Sequence, residues 1–407
     1  MATIRVLVMT LVLFVQLSDA DVEIGGTGIS CADDPACINR LHPDIPMAVR
    51  AVPGERITLR GRDASDIQLD PDEFSVAEAS PREGFGVVHP LVGPVFIEGA
   101  IAGDTLAVTI EAIDPGPVGW TSASPFGFAG DAVGSESRFV VWRLNDRYAE
   151  SDAIPGVKIP NASFPGVIVT LPGPGLLDDV LDREARLAEA GGAVFLPDTE
   201  LAEPTSLCGE EGSRSGECLR TIPPRENGGN MDIRYLKEGV TVYLPCYVDG
   251  CGLAIGDFHY AQGDGEVSGT AIEMDADITV TTRIVRDTRD LTHGPHYEGP
   301  ASLLNIPSSR FYATTGYPLK PEGEIPRDIA YLASAKVASL SNLSKDLNLA
   351  AQNALVAMVD YIVHRYGYDR TQAYMIASVA VDLRIAQLVD VPNVGVTAIL
   401  PLDIFVE

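Results

Sequence analysis

Eighteen residues, GDFHYAQGDGEVSGTAIE from Gly256 to Glu273, set Asp257, His259, Asp264, Glu266 and Glu273 among four glycines. Glycine lets a backbone turn sharply and approach a ligand closely. Carboxylate and imidazole are the groups that bind a divalent metal or exchange protons with a substrate. Asp257 and His259 are two residues apart, so on an extended segment both face the same side. They form a candidate pair of metal ligands, with Asp232 of the Gly-Gly-Asn-Met-Asp turn as the third. A histidine held by hydrogen bonds near a sheet edge is the alternative for His259. Asp264 and Glu266 flank Gly265, and crowding of acidic groups raises at least one pKa, which suits Glu266 to shuttling protons. An Asp-Gly turn with a solvated glutamate is the competing reading. Glu273 stays open between ligand, base and strand-end ion pair. Glu266, Asp264 and Glu273 are the candidate catalytic set. Gly229, Asn230 and Gln262 are assigned to substrate binding, because N–H groups around Gly228–Asn230 could form an oxyanion pocket, although double glycines also make simple turns. His89 is carried as an outer metal ligand. His293 and His296 read as a histidine pair in a solvated loop.

These side chains need a scaffold. Leu106, Val108 and Ile110 alternate with Ala107, Thr109 and Glu111, the period of a half-buried strand. Further strands are expected over Phe139–Leu144, Gly166–Leu171, Val240–Cys246 and Asp277–Val285, the last two flanking the acidic cluster. A helix is predicted over Asp178–Ala190, ended by Gly191-Gly192. Later in the chain Leu347, Ala351, Leu355, Met358 and Ile362 recur at helical spacing, with Gly367 as terminator. A second helix starts at Asp369, with Gln372 as its capping-box partner. The fold class is α+β, a β-rich sandwich with packed helices.

The bulk numbers narrow the function. Against 57 acidic residues stand 29 Lys plus Arg, a formal net charge of −28. Nucleic-acid binding needs a cationic surface, so such a partner is excluded on charge. Residues 1–20 read as a signal peptide, with Arg5, an apolar run from Val6 to Val15 and a Ser18-Asp19-Ala20 exit. The run is too short to span a bilayer, so a secreted or periplasmic protein without membrane insertion is expected. Residues 21–64, rich in Gly, Pro and Cys, are expected to wrap the surface, and 65–407 to form the main domain. The six cysteines fall as near neighbours, Cys31 with Cys37, Cys208 with Cys218 and Cys246 with Cys251. Local disulfides are the simplest of the fifteen pairings, and Cys246 as a nucleophile is the alternative.

The segment PPRENGGNMDIRYLKEGVTVYLP (Pro223–Pro245), followed by the acidic block, resembles the acetamidase/formamidase family. Further similar blocks are HPLVGPVFIEGAIAGDTL at His89, FPGV at Phe164, FYATTG at Phe311, DLNLAAQNALVAMVDYI at Asp346 and SVAVDLRIAQLVD at Ser378. The resemblance implies hydrolysis of short-chain amides to a carboxylate and ammonia, on a β-rich fold, often in a homo-oligomer with divalent metals. Zinc is the first expectation for that metal and calcium the second. An amide is a poor electrophile, and a metal would polarise its carbonyl and activate water. A secreted binding protein that keeps the fold and metal site without catalysis is the reading from another class.

Overall fold

The computed structural model describes residues 21–76, 85–125, 130–189, 194–286, 291, 294–304, 311–314, 323–325, 329–335, 337, 343, 345–387 and 395–406. The expected signal peptide and His293 lie outside the described residues. Ten of the described strands carry the argument: β1 (Val22–Gly25), β2 (Arg56–Gly61), β3 (Leu91–Ile97), β4 (Thr105–Ala123), β5 (Arg138–Leu144), β6 (Phe164–Val169), β7 (Gly228–Asn230), β8 (Thr241–Pro245), β9 (Cys251–His259) and β10 (Glu273–Val285). All belong to one sixteen-stranded sheet, in which β5, β4, β10, β9, β6 and β7 lie side by side in antiparallel pairs. The architecture is sheet-rich α+β.

The strand β9 is buried at every position. A strand covered on both faces has no reason to alternate, and CGLAIGDFH shows no polar–apolar period. Its neighbour β10 pairs with β4 along most of its length and with β2 over Ala276–Thr281. Residues 21–64 therefore do more than wrap the surface. They supply β1 and β2, and Ile57 and Leu59 of β2 are 0% exposed in the main core. Full burial of each such side chain contributes about 1.5–3 kcal/mol. Short alternation within RITLRG was hidden by the turn-rich residues around it.

Three helices follow the local signals. Helix α1 (Pro174–Glu189) starts at Pro174 rather than Asp178, since proline is well suited to a first helical position. In α2 (Leu347–Tyr366) the Asp346 side chain accepts from Leu349 N, and Gly367 closes the helix at φ 80°, a conformation glycine takes without a Cβ penalty. Leu355, Val359 and Ile362 form its buried stripe. Helix α3 (Arg370–Ala380) opens with the Asp369–Gln372 capping box and is buried from Thr371 to Ala380 except at Gln372. No described helix is long and apolar enough to cross a membrane.

Candidate active site

The acidic–histidine cluster forms where strands end. Asp257 and His259 close β9, Glu273 opens β10, and the antiparallel register sets His259 opposite Glu273. On the other side of β9 the register sets His259 opposite Phe164 of β6, whose ring meets the imidazole edge-on at 4.9 Å. Asp232 follows β7, with its N–H donated to the Gly166 carbonyl of β6. Glu266 arrives from the connection between β9 and β10. His89, just before β3, is 8% exposed and lines the same cavity.

Distances are short. His259 Nε2 lies 3.3 Å from Asp257 Oδ1, 3.2 Å from Glu273 Oε2 and 3.9 Å from Glu266 Oε1. These are ion-pair contacts without hydrogen-bond alignment. Asp232 Oδ1, both His259 nitrogens, Glu273 Oε2 and His89 Nδ1 are buried with no hydrogen-bond partner among the described residues. Each unsatisfied buried polar group costs about 1–3 kcal/mol, so a concentration of them in one place calls for a bound group that satisfies them.

Gly166 marks the point of convergence. A Cβ on it would stand 2.4 Å from Asp257 Oδ2, 2.6 Å from Asp232 Oδ1 and 2.8 Å from His259 Cε1. Three candidate ligands from two segments, Asp257 and His259 of β9 and Asp232 after β7, thus crowd over a residue with no side chain. Their donor atoms fall in two overlapping sets, Asp232–His259–Glu266 and Asp257–His259–Glu273, each within 4.8 Å. Carboxylate oxygens and imidazole nitrogen are the ligands a divalent cation of the zinc class takes. The residues fit a metal.

Backbone strain collects at the same place. Asp232 (φ 48°), Asp257 (φ 56°) and Glu266 (φ 41°) are in the left-handed region, which costs a non-glycine residue of order 1–3 kcal/mol and clusters at functional sites. Asp257 is therefore not extended, yet its carboxylate still reaches the His259 side. The electrostatics follow from burial of like charges. Burial, then the Asp257 charge, holds the Asp232 carboxyl well above the usual range. Burial and the Asp232 charge do the same to Glu266. Burial alone would raise Asp257 too, but His89 and His259 outweigh it and pull its carboxyl down. For His259, desolvation is overcome by the Glu273 and Asp257 charges, which push the imidazole up.

The structure separates the predicted residues into groups. Asp232, Asp257, His259, Glu266, Glu273 and His89 are brought together. Asp264 is not: its carboxylate accepts from Tyr235 Oη at 2.7 Å and its N–H is donated to Asp382. The rule that residues two apart share a face holds for strands, whereas Gly265 (φ 105°) and Glu266 lie in a turn. Gln262 is buried and donates from Nε2 to the Asp232 carbonyl at 2.9 Å. That bond positions Asp232, while Gln262 Oε1 is buried and unpartnered and the residue is not among the described cavity lining. Asn230 lines the cavity with its Oδ1 buried and unpartnered. Gly229 is paired with Ile168 in the sheet, and the Gly228 N–H is donated to Arg225 O, so the double glycine serves pairing rather than an oxyanion pocket.

Several contributors carry no signal of chemistry in the sequence. Gly166 sits in the FPGV block but looks like any strand glycine. Ser378 on α3 accepts from Ser268 N at 3.1 Å and donates to Thr270 O at 2.7 Å, and Tyr374 donates to Val267 O. Gly263 packs against Val381, where a Cβ would meet the carbonyl oxygen at 2.0 Å. Helix α3 thus buttresses the loop that presents Glu266. The three local cysteine pairs are all disulfides, which leaves Cys246 without a thiolate to act as nucleophile.

A sequence profile of the acetamidase/formamidase family matches residues 29–407. The chain is 30% identical over 390 residues to the formamidase of Methylophilus methylotrophus, covering 90% of this chain and 89% of that protein. It is 29% identical over 367 residues to the acetamidase of Mycolicibacterium smegmatis, covering 83% and 84% respectively. A solved structure of a gamma lactamase from Delftia acidovorans superposes with a TM-score of 0.74 at 28% identity, covering 95% of this chain and 93% of that one. On a match that runs through every segment of the site, the chain belongs to the acetamidase/formamidase family.

Proposed function

We propose that this protein is an exported hydrolase of carbon–nitrogen bonds in linear primary amides, formamide and acetamide being the smallest, and that it works with a bound divalent cation. The observation that carries the reading is the set of unpartnered buried atoms on Asp232, His259 and Glu273, in a cluster whose Asp232, Asp257 and His259 side chains crowd over Gly166 beside a cavity. Amide hydrolysis by related proteins comes from the family and from the relatives' names. Export rests on the expected signal peptide together with three disulfides, which persist in oxidising compartments. A homo-oligomer is part of the same proposal, on the family resemblance alone.

Asp232, Asp257 and His259, with Glu273 beside them, would hold the cation, zinc in preference to calcium because an imidazole nitrogen is among the donors. Bound there, it supplies Lewis acidity and a lowered water pKa. The remaining work falls to the chain. Glu266 holds its proton more tightly than an ordinary glutamate, the property required to deliver it to the departing nitrogen. Asn230 Oδ1 is placed to accept from the substrate N–H groups. Gln262 fixes the Asp232 backbone and α3 fixes the Glu266 loop. In the net reaction the C–N bond breaks, a C–O bond forms from water, and the products are a carboxylate and ammonium.

Ammonia release from acetamide, measured before and after dialysis against a strong chelator and after restoring zinc, tests the reading. Loss on chelation and recovery on zinc addition is expected. Full activity in the chelated protein would remove the metal from the proposal, and no ammonia from any amide would favour a non-catalytic binding protein.

A further inference from the structure

The cavity above the cluster has a volume of about 400 Å³. Formamide has three heavy atoms, and a water-sized unit takes up ~30 Å³ of liquid, so such a substrate leaves most of the space to solvent. Pockets of several hundred Å³ lined with apolar and aromatic side chains accommodate much larger ligands. Part of the lining is of this kind, Phe85, Phe195, Trp120, Val88 and Ile222, alongside five serine and threonine hydroxyls. No Lys or Arg is among the described lining residues.

The aromatic groups are held in place. Phe85 and Phe195 are 65% and 43% exposed, yet their rings meet at 6.0 Å and 57°, within the range of a favourable tilted pair. Two buried arginines tie their segments together. Arg40, 0% exposed, donates to Asp198 Oδ1 at 2.7 Å, to Glu200 O at 2.9 Å and to Gly86 O at 3.0 Å. Arg220 donates to Asp198 Oδ2 and to Phe85 O. The chain following Phe195 is thereby clamped to the chain around Phe85. Trp120 stacks on Phe139 at 5.2 Å and donates Nε1 to Asp63 Oδ1 at 2.8 Å. Its polar handle is already used, and it offers the cavity an apolar ring. Exposed aromatics on a fixed backbone at a cavity mouth are a binding surface.

Resting on the amidase reading above, we propose that the preferred substrate is a neutral primary carboxamide whose acyl group is aryl or arylalkyl, seated against Phe85, Phe195 and Trp120 while its amide reaches the acidic–histidine cluster. The absence of lining cations argues against a carboxylate on that acyl group, since nothing described there would pair with it. Hydrolysis of the aryl amide is the same balanced reaction, with water supplying both oxygen and proton.

The test is ammonia release by the full-length, metal-loaded protein from acetamide, isobutyramide, benzamide and phenylacetamide, with ring opening of a γ-lactam followed separately as the amino acid formed, repeated for Phe195→Ala and Phe85→Ala. At least a tenfold higher kcat/KM for benzamide or phenylacetamide than for acetamide is expected, and the aryl-to-acetamide ratio should fall about tenfold in Phe195→Ala. Phe195 is partly exposed, so its loss is tolerated by the fold, and circular dichroism of both variants checks this. Hydrolysis of acetamide with none of the aryl amides overturns the inference and leaves the amidase reading standing. A γ-lactam preferred over every aryl carboxamide, or an aryl-to-acetamide ratio unmoved in both variants, also overturns it. No ammonia from any amide overturns both.

Discussion

Two buried charge clusters of this molecule differ in one respect that separates scaffold from site. Arg225, 2% exposed, donates Nε and Nη2 to the two oxygens of Glu184 at 2.8 and 2.9 Å, and its Nη1 to the carbonyls of Arg220 and Pro223. Every guanidinium nitrogen has a partner, and the charges are opposite. Around His259 gather the carboxylates of Asp232, Asp257, Glu266 and Glu273, and buried donor and acceptor atoms remain unpartnered. Burial of charge is common to both. What distinguishes the second is an excess of negative charge with hydrogen-bonding capacity unspent, on a backbone strained at three carboxylate positions.

That contrast can be broken by substitution. Asp257→Asn, nearly isosteric, should lower amide hydrolysis about a thousandfold or more, roughly 4 kcal/mol of activation free energy, with the melting temperature unchanged or raised. Ammonia release and a thermal scan on one preparation check both halves. Glu184→Gln should do the reverse: breaking a buried pair costs about 3–5 kcal/mol of stability, read as a lower denaturation midpoint, while metal content per folded chain is retained. Metal loss in Glu184→Gln, or a large stability loss in Asp257→Asn, would erase the distinction.

Smaller effects sharpen it. Lys237, outside both clusters, has its amine lowered to about 8 by burial and by Arg234, against the pull of Asp264. A depressed folded-state pKa in a lysine means stability is fully present above the ordinary value near 10.4 and is lost as pH falls through about 8. The loss is of order 3 kcal/mol from that shift. Urea midpoints between pH 7 and 10 should rise with pH in the wild type and flatten in Lys237→Met; parallel curves would contradict this. Ser378→Ala, which removes two of the hydrogen bonds between α3 and the Glu266 loop, should reduce kcat by about tenfold, in line with the effect of groups that support metal ligands and catalytic residues, with little change in KM. An equal fall in stability and no kinetic effect would make Ser378 purely structural.

Much of this was legible in the sequence, for reasons that explain what was not. Asp257, His259 and Glu273 could be read because two fall at the end of one strand and one at the start of the next, so chain proximity and spatial proximity coincide. The caps of α2 and α3 were legible because Asp346, Gly367 and Asp369 act on their own backbone neighbours. Asp264 misled because a glycine turn, not a strand, separates it from Glu266. Gly166 could not be found by residue type, since its role lies in an absent Cβ facing residues far along the chain. The aromatic mouth was equally hidden: Phe85 and Phe195 are distant in sequence and meet through Arg40, Arg220 and Asp198. Residues 21–64 looked peripheral because loop-forming residues separate short strands, one of which, β2, pairs with β10 of the core.

The central claim is that the carboxylate–imidazole cluster crowded over Gly166 holds a divalent cation. Elemental analysis of the full-length protein purified without added metal, set beside Asp257→Asn, His259→Ala and Gly166→Ala, tests it most directly. At least one equivalent of divalent metal per chain is predicted in the wild type, falling to background in all three folded variants, with Gly166→Ala losing it although no donor atom is removed. Metal retained in folded Gly166→Ala and Asp257→Asn, or none taken up by the wild type on titration with zinc, would contradict the account.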